Sequence, residues 1–206
     1  MYTLYSLAGT CSTGITILLT KLGAEFEVIQ RDDVSNYQEI VPTNQVPALK
    51  TEDGQIITEG AAIALYLLEK HANDMLPKDM ADKADFLRWL MFNYATLHPA
   101  YSKVFATRSI TDGQSYQVEL MQKMADNLSK SWKIVDDRLA NQKYMVGDTP
   151  TIIDDLLAIY TSWNNYFPQV DVTVGKNVER LVQDIIEQPA FQKAYALENK
   201  EFKQAA

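Results

Sequence analysis

Cysteine is almost missing: Cys11 is the only one in 206 residues. An internal disulfide is excluded, and a reducing cytoplasm is the expected compartment. Histidine is nearly as scarce. His71 and His98, with one cysteine, cannot supply a zinc site of the usual kind, so no metal is expected. No apolar run approaches the roughly 20 residues that span a bilayer. The stretch Met1-Tyr2-Thr3-Leu4-Tyr5 lacks the basic and apolar regions of a signal peptide. Basic clusters are few and the formal net charge is -8, which argues against nucleic acid as the main partner. What is present is ordinary for a globular chain, 47% hydrophobic and 22% charged. The length allows one large domain or two small ones.

The first seventy residues alternate in type. Tyr2 to Ser6 reads as a strand, and Ala8-Gly9-Thr10 breaks it. Ile15, Leu18, Leu19 and Leu22 then share one helical face, with Gly23 placed as a C-cap glycine. Phe26 and Val28 alternate with acids as a second strand. Arg31 to Asn44 is polar and irregular. Pro47 to Lys50 and Gln55 to Thr58 flank Asp53-Gly54, a hairpin turn signal, and Gly60 to Lys70 reads as a helix. The expectation is a small α/β layer over 1–72. A linker over 73–80 follows, and then an all-helical domain over 81–206. In that second part Leu87, Leu90, Met91, Tyr94 and His98 form one helical face. Val118, Met121, Met124, Leu128, Trp132, Val135 and Leu139 form a longer stripe, suited to core or dimer contact. Thr151-Ile152-Ile153-Asp154 has the form of a capping box. Leu156, Leu157, Tyr160 and Trp163 continue from it on one face. Further helices are expected near Lys176 to Glu187 and Pro189 to Leu197.

One stretch carries chemistry. Val46-Pro47 precedes a strand, where proline belongs at an edge or a start. A cis bond there would expose the Val46 backbone to an extended peptide. Just past the hairpin, Glu59-Gly60 opens a helix. Its unpaired N–H groups suit a ligand carboxylate, Glu59 suits an ammonium, and glycine permits close approach. Together these features describe a site for an amino-acid-like or peptide ligand. Taken singly, Pro47 is a strand-start residue and Glu59 a helix-cap acid.

The order "QVPAL", "DG", "TEGAAIALYL" resembles the glutathione transferases, and the capping box at Thr151 to Asp154 extends the likeness along the chain. The resemblance implies a thioredoxin-like N-terminal domain followed by an all-α C-terminal domain. In that family the cis Val-Pro pairs with the cysteinyl backbone of glutathione, and the acid with its small neighbour holds the γ-glutamyl end. These positions are Val46, Pro47, Glu59 and Gly60 here. "GTCSTGI" and "LHPAYSKVF" are most similar to the bacterial beta class, which maps a site cysteine onto Cys11 and a site histidine onto His98. Trp163 fits a tryptophan of that class and reads as core or pocket wall. The sequence also departs from the pattern. Residues 32–39 hold no lysine for the glycyl carboxylate, and Arg31 is the nearest cation. Pro42-Thr43-Asn44-Gln45 replaces Asn-Pro-x-Gly, Met91 stands for an asparagine, and Pro99 for a lysine.

Cys11, at a helix start, is a site thiol whose pKa the helix end lowers, or a buried structural cysteine. Ser12 is a donor to a thiolate or an N-cap. Tyr5 or Ser6 occupies the place where other classes put a hydroxyl against the sulfur, and Tyr5 also reads as a half-buried strand aromatic. His98 is an interdomain histidine on pattern alone. By resemblance it positions the thiol or moves a proton near neutral pH. The implied function is a detoxifying transferase that joins the thiolate of its co-substrate glutathione to a small hydrophobic electrophile. It is expected to act as a homodimer without a membrane partner. The alternatives are a thiol/disulfide reductase or peroxidase acting through Cys11, or a non-catalytic protein that kept the fold.

Overall fold

The computed structural model describes residues 1–204. Strand β1 (Tyr2–Ser6) lies inside the sheet. It pairs in parallel with β2 (Phe26–Gln30) and antiparallel with β3 (Ala48–Lys50), and β4 (Ile56–Thr58) closes the order β2-β1-β3-β4. Alternation sorts the side chains of β1. Tyr2 and Leu4 join the main core with Leu49, whereas Tyr5 and Ala48 join a smaller cluster with Tyr37 and Val41. The segment expected to be irregular after β2 contains a short helix, α2 (Tyr37–Ile40).

Helix α1 (Cys11–Lys21) was expected to bury one face, but it is buried almost throughout, with Ile15, Ile17, Leu18 and Leu19 fully inside. The sheet layer packs on one side of it. On the other pack α7 (Ile152–Ser162) and α9 (Pro189–Leu197). Gly14 permits that approach, because a Cβ there would stand 2.7 Å from Leu156 Cδ2. Lys21, in the last turn of α1, reaches Asp155 in the first turn of α7 at 2.7 and 2.8 Å.

Helix α3 (Gly60–Lys70) has the expected bounds. Beyond it, among the described residues, the elements are all helical. Asp79 caps α4 (Met80–Phe92) by accepting from the N–H of Ala81. The face expected from Leu87 to His98 is interrupted by a π-helical turn at Asn93–Leu97, so His98 opens α5 (His98–Ile110). Met91 is exposed, while Asn93 is buried and donates to the Ile153 carbonyl at 2.9 Å. Helix α6 (Gln117–Leu139) buries Met121, Leu128, Trp132, Val135 and Leu139 as expected. Val118, in its first turn, is instead exposed. The capping box of α7 is formed, with Thr151 and Asp154 each accepting from the other's end of the turn. A 3-10 turn (Trp163–Tyr166) and α8 (Lys176–Ile186) complete the order before α9.

Candidate active site

A cavity of about 220 Å³ opens between the sheet layer and the helices, and Cys11, Val46, Pro47, Glu59, Gly60, Tyr94 and His98 line it. Three elements converge there. Thr10 caps α1, accepting from the Ser12 N–H at 3.3 Å, and this puts Cys11 at the first helical position. The Val46-Pro47 bond is cis. Val46 O lies 3.9 Å from Cys11 Sγ, and the Val46 N–H has no protein partner among the described residues. Glu59 precedes α3 at φ +66°, a left-handed conformation unusual for a residue with a side chain. Its carboxylate makes no cap bond and is exposed, so it is free to face a ligand.

The thiol differs from the sequence expectation. Burial pushes the Cys11 pKa up from 9.0 to about 12. The backbone N–H groups of Cys11 and Ser12 oppose that rise, and the Glu59 charge adds to it. The helix end does favour a thiolate, but desolvation outweighs it. Burial likewise lowers the pKa of His98, which favours a neutral ring at physiological pH. Tyr160 and Trp163 hold that ring edge-on at 5.7 and 5.3 Å.

Two further expectations are overturned. Ser12 is neither a cavity donor nor the cap. Its hydroxyl is fully buried in the β1–α1 loop, 2.8 Å from Ser6 Oγ, 2.7 Å from Thr10 Oγ1 and 3.0 Å from the Leu7 N–H that it accepts. Tyr5 does not line the cavity either. Its ring packs on Tyr37 at 5.5 Å, on the opposite sheet face from Leu4. Ser6, the alternative, is fully buried and bonded to Ser12 and Glu198. Trp163 is not among the residues lining the cavity. It supports His98, and its indole N–H donates to the Gly9 carbonyl at 2.9 Å. Arg31 is turned to Asp32 at 2.8 Å, and Thr43 and Gln45 line the cavity in its place.

Two participants were missed. Tyr94 stands four residues before His98 on the helical face expected there, and only the histidine was singled out. Glu198 carried no signal at all. It is buried just after α9 and accepts from Thr13 Oγ1 at 2.6 Å, Thr16 Oγ1 at 2.7 Å and Ser6 Oγ at 3.1 Å. It also accepts from the Gly9 N–H at 3.4 Å. The loop that presents Cys11 is thus gripped from behind. Glu198→Ala strips the acceptor from these donors and is expected to cost about 1–3 kcal/mol, measured by urea unfolding. Glu198→Gln, which keeps one carbonyl acceptor, should cost less. Equal losses in the two variants would contradict this role.

Residues 8–70 match the family model described as glutathione S-transferase, N-terminal domain. Glutathione S-transferase GstA of Escherichia coli O157:H7 is 24% identical over 204 residues, covering 95% of this chain and 98% of that protein. The structure of a bacterial beta class glutathione S-transferase from Sphingomonas chungbukensis is 21% identical, covers 95% and 98% of the two chains and superposes with a TM-score of 0.82. A sphingomonad glutathione S-transferase complexed with glutathione is 23% identical, with coverage of 96% and 98% and a TM-score of 0.82. The chain thus matches the N-terminal domain of the glutathione S-transferases over residues 8–70, is similar to such transferases along its length, and has their fold.

Proposed function

We propose that the protein is a glutathione transferase that conjugates the thiolate of glutathione to a small hydrophobic electrophile. One observation carries this reading: an unpaired Val46 N–H, the N-terminus of α3 behind Glu59, and Cys11 all face one cavity. An extended γ-glutamyl peptide suits that triangle. Its cysteinyl backbone pairs with Val46 as an added strand. Its γ-glutamyl carboxylate meets the N–H groups of α3, its ammonium meets Glu59, and its sulfur falls near Cys11 and His98. Thr43 and Gln45 offer neutral partners to the glycyl end. In the reaction the thiol gives up its proton to solvent water, and the sulfur lone pair forms a bond to the electrophilic carbon. The leaving group departs with the bonding pair, or an activated alkene carries the charge until it is protonated. A beta-class assignment, a homodimer and a cytoplasmic location belong to the same reading. Light scattering tests the dimer.

Calorimetric titration of glutathione tests the core of it. Wild type is expected to bind. Glu59→Ala is expected to weaken binding by about tenfold, near 1.4 kcal/mol, through loss of the ammonium's counter-charge. Absence of wild-type binding at millimolar ligand would overturn the reading in favour of a non-catalytic protein of this fold.

A further inference from the structure

We propose that the Tyr94 hydroxyl donates a hydrogen bond to the sulfur anion formed in this cavity, with the buried Tyr160 hydroxyl as a second donor. The inference rests on the glutathione reading and supplies the thiolate-stabilising group that reading lacks, since Tyr5, Ser6 and Ser12 are committed elsewhere.

The hydroxyls of Tyr94 and Tyr160 are buried and have no hydrogen-bond partner among the described residues. A buried, unpartnered hydroxyl costs about 1–3 kcal/mol, and native proteins seldom keep one without a use. Tyr94 lines the cavity beside Cys11 and His98. It reaches that place because residue 60 is glycine. A Cβ on Gly60 would stand 2.4 to 2.6 Å from the Tyr94 ring and hydroxyl. The glycine expected to admit the ligand therefore admits a tyrosine. Tyr160 is fully buried and held by Trp163, their ring centroids 4.6 Å apart.

The electrostatics agree with donation. Burial raises the pKa of both phenols, and charge on Cys11 raises both further. Each therefore keeps its proton and remains a donor across the working pH range. Glu59 from the start of α3 is the negative group that acts on Cys11. His98 from α5 is favoured neutral. Beside the backbone N–H groups of Cys11 and Ser12, the phenols are then the side chains left to offset the charge of a sulfur anion, in the manner of a preformed oxyanion site.

The anion is either the sulfur of bound glutathione or Cys11 itself, and two arms separate the sources. Tyr94→Phe and Tyr94→Phe/Tyr160→Phe remove only unpartnered oxygens. The first arm follows glutathione binding by calorimetry and the ultraviolet absorbance of the bound thiolate against pH. The affinity should stay within about threefold. The apparent pKa of the bound thiol should rise by about one unit, a tenfold loss of thiolate below it. The second arm follows alkylation of Cys11 against pH without ligand. A roughly tenfold loss of thiolate there identifies Cys11 as the anion served, and it supports the proposal even if glutathione fails to bind. If glutathione binds and neither titration moves in the double variant, the proposal is wrong and the transferase reading stands. If wild type binds no glutathione and alkylation is also unchanged, both are wrong.

Discussion

Lys21→Met is expected to destabilise the protein by about 3–5 kcal/mol at neutral pH, because it strands a buried carboxylate. Asp155 is 0% exposed, and Lys21 meets both of its oxygens. The pair also sits well on its helices. A cation in the last turn of α1 and an anion in the first turn of α7 each face the favourable end of a helix dipole. Burial still leaves the Asp155 pKa above its ordinary value, although Lys21 pulls it down. A carboxyl raised in the folded state contributes its full stability below its unfolded pKa, and that contribution is lost as pH rises through the folded value. Removing Lys21 raises the folded value further. The penalty is therefore largest at neutral pH and above, and it eases on acidification. Urea unfolding at pH 7 and at about pH 5 should show this trend. Lys21→Met/Asp155→Leu should recover most of the loss, since an apolar pair can replace a buried ion pair. A single-variant loss below about 1 kcal/mol, or a double variant no better than the single, would contradict the account.

In the free protein, Cys11 is expected to react with iodoacetamide about a thousandfold more slowly at neutral pH than an unperturbed thiol. Its pKa stands at about 12 against 9.0, and each unit is a factor of ten in thiolate, the reactive form. Limited access to Sγ adds to the delay. The rate should keep climbing with pH well past the point where an ordinary thiol levels off. Alkylation as fast as that of free cysteine would show that the helix end wins over desolvation. A slow Cys11 favours the ligand's thiol as nucleophile over a reductase or peroxidase mechanism through the protein's own sulfur.

Sequence reading worked where local chemistry decides the outcome. The hairpin at Asp53-Gly54, the capping box at Thr151, the start of α3 at Gly60 and the stripe of α6 all follow from short-range pattern. Cys11, Val46, Pro47, Glu59, Gly60 and His98, singled out by spacing and resemblance together, line one cavity. The failures come from facing and distance. Whether Tyr5 or Leu4 points at α1 depends on strand register, which is a property of the sheet. The π-helical turn at 93–97 broke a 3.6-residue face that pattern alone continues. Tyr94 did not stand out because packing and site residues obey the same helical spacing. Glu198 meets its partners across 182 to 192 residues, a separation no local motif reveals.

That separation has a consequence during synthesis. Ser6 emerges first, and Glu198 follows 192 residues later, which takes a ribosome about 10 to 40 s at ordinary elongation rates. Throughout that interval the hydroxyls of Ser6, Thr13 and Thr16 await their shared acceptor, even after the sheet can pair. The bonds from Glu198 to the loop bearing Cys11 are thus among the last a nascent chain can form. A transcript cut short before codon 198 would yield a protein able to build its sheet yet unable to lock the segment that presents its thiol.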